Sequence, residues 1–177
     1  MSTRIKGLDG PMPRGPRRYP VRWPVAGRLL DVTLLDDAWT PVHVHWVAGA
    51  SGDKDRHFAC HGTRSCPYCL TGSLIKLVGY MPAFDHAAQE YIVAAVPNGA
   101  LVTVISIVPE DRSLRGVRIE MGRRKDCVYG PVSIGIVTER PAHVWRGEPP
   151  DVWPTLVSIY GPRCRPDVSG DFMREGE

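Results

Sequence analysis

Short apolar runs separated by turn residues characterise the chain from residue 28 to residue 138. They are rich in Val, Ile and Leu, and several alternate apolar with polar positions, which is the period-two pattern of a strand. Pro97-Asn98-Gly99 has the composition of a tight hairpin turn, and Gly130-Pro131 interrupts the chain before the last run. The runs predicted to be strands are RLLDVTLL, PVHVHWV, EYIVAAV, ALVTVISIV, RGVRIEM and PVSIGIVT, with a further strand near KLVGY.

Closely spaced strands of this kind predict a small all-β domain, either a barrel or a sandwich. No segment has the periodicity of an amphipathic helix longer than two or three turns, and only SLRGV and TGSLIKL could form a short one. A chain of 177 residues is long enough for one domain with a substantial core and too short for two ordinary domains. We therefore expect one all-β domain over residues 25–140, with extended ends.

The two ends differ in composition from this central part. Residues 1–24 interleave prolines with six basic residues against Asp9 alone, which predicts an extended basic arm that either lies along phosphates or stays solvated. Residues 141–177 are Pro-rich again and finish in an acidic tip, so we expect a partly disordered segment. The basic residues of the arm are Arg4, Lys6, Arg14, Arg17, Arg18 and Arg22, and the acidic residues of the tip are Asp167, Asp171, Glu175 and Glu177.

Charge and hydropathy exclude some classes of protein. The formal net charge of +3 is too small to indicate nucleic-acid binding by itself. No apolar run approaches the roughly 20 residues of a membrane-spanning helix, and the first residues lack the apolar stretch of a secretory signal. We expect a cytoplasmic protein without a membrane partner. Five cysteines, unevenly spaced, suit metal binding in a reducing compartment better than a disulfide framework, and Cys127 and Cys164 are expected to be ordinary thiols.

Three of the cysteines lie in a polar excursion at about residues 46–75, which is too long for a structureless hairpin loop in a compact domain. Cys60, Cys66 and Cys69 supply three thiolates within ten residues, and the Cys-x2-Cys turn lets two sulfurs reach one ion while backbone amides stabilise their charge. With one His the tetrahedron is closed and no position is left for water. We therefore expect a zinc ion with a structural role.

The fourth ligand has several candidates. His43 and His45 project from the same face of the strand PVHVHWV because side chains alternate along a strand. His45 is preferred because it is nearer the strand end, where it would pin one end of the excursion while Cys60 pins the other. His57, a more local ligand, is second, His43 is third and His61 is last.

Enzymatic interpretations have less support. Cys66-Pro67-Tyr68-Cys69 matches the dithiol motif of glutaredoxins, with Val108-Pro109 downstream in the place of that family's proline turn. A thioredoxin-like site, however, needs an apolar strand before the first Cys and an amphipathic helix after the second, and neither flank fits. The zinc nucleobase deaminases require an H-x-E motif that the chain lacks. Walker, nucleophile-elbow and H-E-x-x-H motifs are absent as well, so we expect no enzymatic activity.

A strand ending in His, a polar excursion, a Cys, a second short loop and then C-P-x-C together resemble the zinc-containing single-stranded DNA-binding proteins of T-even bacteriophages. The segments PVHVHW, HFAC and SCPYC fall in that family's order, and the similarity covers about residues 39–137. The resemblance implies an OB-like Greek-key barrel with an inserted zinc subdomain, held by three Cys and one His. It also implies sequence-tolerant binding of single-stranded DNA and an acidic tail that contacts replication or repair proteins. This chain is shorter, its basic arm is Pro-rich and its acidic tail is brief.

Single-strand binders combine a cationic groove for phosphates with aromatic faces on which bases stack, and both ingredients occur here. Each aromatic side chain could equally serve in core packing, and the basic stretch could be a solvated sheet edge. Tyr68, between the paired thiolates, is the aromatic expected to stay most exposed. The candidate phosphate contacts are Lys54, Arg56, Arg112, Arg115, Arg118, Arg123, Arg124 and Lys125, and the candidate stacking residues are Trp46, Phe58, Tyr68, Tyr80 and Tyr91.

The predicted function is non-enzymatic binding of single-stranded DNA in replication, recombination or repair, with RNA as another ligand of the same chemistry and a nucleoid or viral replication complex as its setting. One alternative is a zinc-stabilised protein-interaction module of a nucleoprotein complex. A second alternative is a CPYC-type dithiol oxidoreductase. The sequence does not fix an oligomeric state.

Overall fold

The described part of the chain consists of residues 18–62, 65–107, 113–126, 130–137 and 149–161 of a computed structural model, without the side chains of residues 48–56 and 107. It contains seven strands and three helices. The strands are β1 (Val21–Arg22), β2 (Leu30–Leu34), β3 (Thr40–Ala59), β4 (Ile75–Asp85), β5 (Glu90–Pro97), β6 (Arg118–Gly122) and β7 (Ser133–Val137). The helices are α1 (Pro67–Leu70), α2 (Asn98–Ile107) and α3 (Trp153–Tyr160).

The strands form one open sheet in the order β1-β5-β4-β2-β6-β7, with β3 also paired to β4. β4 organises the sheet: one edge pairs with β5, and the other pairs first with β3 and then with β2. All pairs between these strands are antiparallel except β1 with β5. The all-β class is confirmed, whereas an open sheet of this kind does not by itself establish a closed OB barrel.

Apolar side chains are buried on both faces of β4 and β5. Ile92, Ala94 and Val96 of β5 point into one core together with β2, β6, β7 and α2. Val93 and Ala95 point to the other side, into a second core that includes β3 and α3. Burial on both faces explains why EYIVAAV reads as a continuous apolar run instead of alternating.

One strand prediction is wrong, because ALVTVISIV belongs to helix α2 and Pro97-Asn98-Gly99 leads into that helix instead of a hairpin. Ala100, Leu101 and Val104 are buried, whereas Val102 and Ile105 are exposed, and this spacing is helical. The β-branched residues favour a strand, but packing against β4, β5 and β7 overrides that weak preference. The remaining predicted strands are confirmed.

Elements also occur in the segments predicted as the basic arm and the C-terminal segment. β1 pairs with β5 through Val21 and Arg22. α3 packs on the second core through Val152 and Leu156, and the Tyr19 backbone amide donates a hydrogen bond to the Thr155 hydroxyl at 2.8 Å. Both segments therefore contribute to the fold where they are described. Among the described residues no helix is long and apolar enough to cross a membrane.

The helical assignment of residues 98–107 can be tested with a matched pair of valines. Val104→Ala is expected to lower the free energy of unfolding by about 1–3 kcal/mol, because it removes two methyl groups from a core. Val102→Ala, on the exposed face of the same helix, is expected to cost less than about 0.5 kcal/mol. Urea denaturation of both variants makes the comparison. A strand would place the two valines on one face, so equal losses would contradict the helix.

Candidate metal centre

The candidate site lies where β3 and β4 meet the segment between them. In the first half of β3, His43 pairs with Leu77 and His45 pairs with Ile75 of β4. β3 then returns beside itself, because the Cys60 backbone amide donates a hydrogen bond of 2.8 Å to the His43 carbonyl. Residues 60–74, which we call the knuckle, therefore begin and end next to the same short piece of β3. The first part of the predicted excursion is thus extended strand as far as residue 59.

Backbone hydrogen bonds shape the knuckle. The Cys66 amide donates to the Gly62 carbonyl at 3.0 Å, and Pro67 then occupies the first position of α1, where a missing amide proton costs nothing. Gly72 follows with a φ of 76°, a left-handed conformation that glycine adopts without strain. The helix thus ends in a turn that brings the chain back to β4. The predicted Cys-x2-Cys turn is this short helix with its first cysteine just before it.

Four side chains converge on one point. The ligand atoms of His45, Cys60, Cys66 and Cys69 all lie within 4.8 Å of one another. The Cys69 Sγ is 3.5 Å from the Cys60 Sγ and 3.3 Å from the His45 Nε2. In a tetrahedral zinc site with Zn–S bonds of about 2.3 Å, two sulfurs would be about 3.8 Å apart and a sulfur and a nitrogen about 3.6 Å apart. The cluster therefore has the dimensions of a metal site, and the predicted grouping is confirmed.

The Cys69 thiol needs a cation to carry charge in this position, whereas Cys66 does so more readily. Burial, together with hydrogen bonds to the other two thiols, raises the pKa of the Cys69 thiol to about 12. Burial also acts to raise the pKa of Cys66, but the backbone amides around its sulfur favour the thiolate and bring the pKa below its usual value. A divalent cation among the sulfurs would deprotonate its ligands outright. The donor set suits a soft or borderline metal ion.

His45 is the only one of the four proposed histidine ligands in the cluster among the described residues. Its ring is wholly buried with Nε2 directed at Cys69, and its Nδ1 has no hydrogen-bond partner among the described residues. His57 instead stacks on Trp23 with ring centroids 4.2 Å apart. His43 contributes its backbone carbonyl to the Cys60 amide, and His61 is exposed. Of the four candidates, His45 is therefore the one that the structure places with the cysteines.

The candidate stacking residues fall into different environments. Phe58 and Tyr68, both half-buried, stack with centroids 4.7 Å apart, and the Tyr68 ring lies 5.7 Å from that of His45. Tyr68 therefore packs against a neighbour, and it has the same half-buried state as Trp46, Phe58 and Tyr91. Tyr80 has no exposed surface, and its hydroxyl lies 2.5 Å from that of Tyr160, so its ring cannot stack on a base in this conformation.

The other two aromatic candidates are half-buried. Tyr91 packs edge to face on Phe84, and burial, with a smaller contribution from Tyr19, raises the pKa of its hydroxyl. Trp46 follows His45 on β3 and is half-buried too. Neither lies in the metal cluster.

Two of the predicted phosphate contacts are engaged within the fold. Arg118 donates from Nε and Nη2 to the two carboxylate oxygens of Asp31, at 2.8 and 2.5 Å, and this pair lowers the pKa of Asp31. Arg123 donates to the carbonyls of Pro24 and Gly130, at 3.0 and 2.6 Å. It thereby links the end of β6 to the segment between β1 and β2 and to the segment between β6 and β7. Both side chains stabilise the sheet, which makes them weaker candidates for phosphate binding than their sequence context indicates.

The remaining basic candidates differ in exposure. Arg124 is highly exposed and pairs with Asp126 at 2.8 Å, and Lys125 beside it is exposed. Arg115 is half-buried, and its backbone amide donates to Asp37. The predictions for the side chains of Lys54, Arg56 and Arg112 lie outside the described residues.

Sequence reasoning assigned no role to the apolar side chains of the knuckle. Leu70 and Leu74 of the knuckle are exposed, as is Ile75, the first residue of β4, and none of the three belongs to either core. The sequence did contain a signal for these residues. A segment that is held by a metal ion does not need apolar residues for its folding, so apolar residues within it need another explanation.

No family model, curated protein or solved structure matches the chain significantly. The interpretation of the site therefore rests on its own geometry. Three sulfurs and an imidazole at these distances can hold one metal ion and close its coordination sphere.

The choice between histidines gives a test of the site. His45→Ala is expected to weaken metal binding by more than about 100-fold, because one of four ligands is lost. His57→Ala is the control, because the His57 ring packs on Trp23 and not in the metal cluster. This variant is expected to bind metal like the wild type. Metal content after gel filtration and competition with a coloured chelator measure the difference. Equal metal content in the two variants would exclude His45 as a ligand.

Proposed function

We propose that the protein is a non-enzymatic single-stranded DNA-binding protein in which a structural zinc ion holds the knuckle. The observation that carries the proposal is the convergence of His45 with three cysteines at the base of the knuckle. A tetrahedral set of three Cys and one His is a common structural zinc site. It leaves no coordination position for a catalytic water.

The position of the knuckle in the sheet supports an OB-like interpretation. Without β1 and the inserted β3, the five strands in chain order are β2, β4, β5, β6 and β7, and their order in the sheet is third, second, first, fourth, fifth. This is the neighbour order of the five-stranded Greek-key OB barrel, opened between its third and fifth strands. The knuckle lies in the connection between the first and second of these strands, which OB folds use to bind oligonucleotides.

Helix α2 supports a curled sheet. It contacts β4, β5 and β7, although β5 and β7 are four strand positions apart, about 19 Å in a flat sheet. A ten-residue helix is only about 15 Å long. One helix reaches all three strands more easily if the sheet bends around it.

The surface beside the metal centre provides the chemistry for unpaired bases. Phe58 and Tyr68 form a half-buried pair of rings next to the metal ligands. No Asp or Glu occurs between His57 and Phe84, so this segment carries no charge that repels phosphate. The exposed Lys76 of β4 pairs with Val44 and therefore lies on the opposite face of the sheet from the rings. Aromatic faces bind unpaired bases without sequence preference.

The wider setting follows from the resemblance of the metal motif to the phage proteins. On that basis we propose a role in replication, recombination or repair, in a cytoplasmic nucleoid or viral replication complex, with contacts to other proteins through the acidic tail. The dithiol alternative has the CPYC sequence and the downstream Val108-Pro109 pair in its favour. The helix that follows Cys66 has four residues, much shorter than the helix of a thioredoxin-like site.

Binding to oligonucleotides tests the proposal directly. Fluorescence anisotropy with labelled single strands and duplexes of equal length should show tighter binding to the single strand, and affinity should fall steeply as salt increases, because counterions are released. Removal of zinc with a chelator should lower affinity and stability together, and Cys66→Ser should reproduce both effects. Equal affinity for the two strand forms, or unchanged affinity without metal, would count against the proposal.

The ring pair gives a more local test. Phe58→Leu keeps an apolar side chain but removes the π face, and it should lower single-strand affinity about 5-fold to 100-fold, since one stacked base contributes about 1–3 kcal/mol. Tyr80→Phe, the control, removes a buried hydroxyl contact and should leave affinity unchanged. Zinc content of both variants verifies that the knuckle is intact. Loss of affinity in the control alone would show that the rings beside the metal do not contact bases.

A further inference from the structure

The three sulfurs of the candidate metal centre differ in their access to solvent. Cys60 and Cys66 are buried, whereas Cys69 is half-buried. Cys69 is therefore the thiol of the cluster that a small dissolved molecule reaches first. The thiolate is the form of cysteine that reacts with oxidants, and a bound metal ion keeps its sulfur ligands deprotonated.

The two sulfurs beside Cys69 are held differently. The Cys60 Sγ lies 3.5 Å from the Cys69 Sγ, so the pair must approach by only about 1.5 Å to reach the length of a disulfide bond. The Cys66 sulfur accepts hydrogen bonds from the backbone amides of Tyr68 and Cys69. Hydrogen bonds of this kind stabilise a thiolate and make it a weaker nucleophile. Cys60 is therefore the better partner for an oxidised Cys69.

We propose that Cys69 is a peroxide-sensitive site, at which hydrogen peroxide produces a Cys60–Cys69 disulfide and thereby releases the structural zinc ion. First the Cys69 thiolate attacks one peroxide oxygen, an S–O bond forms as the O–O bond breaks, and hydroxide leaves. The Cys60 thiolate then attacks the Cys69 sulfur, an S–S bond forms as the S–O bond breaks, and a second hydroxide leaves. The two sulfurs together lose two electrons, which reduce one peroxide to two hydroxide ions.

The oxidised cluster cannot retain the ion. The disulfide takes up two of the four ligands, and His45 with Cys66 cannot complete a tetrahedron. The knuckle is then closed by a covalent bond, but no ion joins it to His45 on β3. A dithiol reductant with added zinc reverses the change. The inference rests on the structural zinc ion of the proposed function and not on DNA binding.

Hydrogen peroxide, added to the full-length, zinc-loaded protein with a coloured zinc chelator, is the test, and a sample without peroxide measures spontaneous release. One zinc ion should be released for each disulfide formed, and mass-spectrometric mapping after alkylation should find Cys60 joined to Cys69. A dithiol reductant with zinc should restore the metal content. A Cys66–Cys69 disulfide, which the dithiol alternative predicts, would overturn the proposal. Sulfinic or sulfonic acid at Cys69 without a disulfide would do the same.

Two variants with equal numbers of ligands separate the roles of the buried cysteines. Cys60→His and Cys66→His each leave two sulfurs and two imidazoles, a set that also binds zinc. Cys60→His removes the partner of Cys69 and should slow peroxide-dependent zinc release by about tenfold or more, whereas Cys66→His should still form the Cys60–Cys69 disulfide. Equal slowing in both variants would contradict the role of Cys60. Should either variant lose its zinc, the disulfide map of the wild-type protein still decides the question.

The matched control is Cys127→Ser with Cys164→Ser, which removes the two cysteines outside the cluster. It should release zinc at a rate within about twofold of the wild type, because the reacting thiols are retained. Release that is as slow as in Cys60→His would assign the oxidation to another thiol and overturn the proposal.

Single-strand affinity, measured before and after peroxide treatment, separates this inference from the proposed function. Zinc release with a Cys60–Cys69 disulfide, in a protein that binds no DNA at any stage, would overturn the proposed function alone. Zinc retained in peroxide by a protein that binds single strands would overturn this inference alone.

Discussion

The convergence of one imidazole and three sulfurs is the constraint on which the rest of this protein depends. His45 stands on a strand of the sheet, whereas the cysteines belong to the knuckle, so the cluster joins the knuckle to the sheet. Without a cation Cys69 stays a neutral thiol, because burial and the neighbouring thiols raise its pKa to about 12. A metal ion would displace that proton and join the knuckle to the sheet.

The residues that stabilise the fold are different from those on the surface of the knuckle. The two apolar cores stabilise the sheet and its helices, and their buried residues include none of the three cysteines. The knuckle therefore does not need its own apolar side chains for folding. Leu70 and Leu74 are exposed, and the Phe58–Tyr68 ring pair is half-buried beside the candidate ligands.

Electrostatic interactions within the fold narrow the set of side chains that can meet a ligand. Arg118 is held by Asp31 in a two-point contact, and Arg123 is held by two backbone carbonyls. Both are basic residues in a basic stretch, yet their hydrogen bonds are directed into the structure. The exposed cations that remain described, Lys76 and Lys125 among them, carry a larger share of any attraction for phosphate or carboxylate.

The sequence by itself determined the all-β class, most of the strands and the grouping of His45 with three cysteines. Period-two patterns depend on local geometry, and the close spacing of Cys66 and Cys69 makes their convergence a local property too. His45 could be selected because its place at the end of a strand pattern was visible in the chain. What only the tertiary structure decided depends on distant partners. Residues 98–107 are helical because they pack against three strands. Tyr80 is buried in contact with Tyr160. Arg118 binds Asp31, which lies 87 positions earlier in the chain. Long-range contacts of this kind have no signature in the local pattern of residues, because they arise only when the sheet brings those positions together.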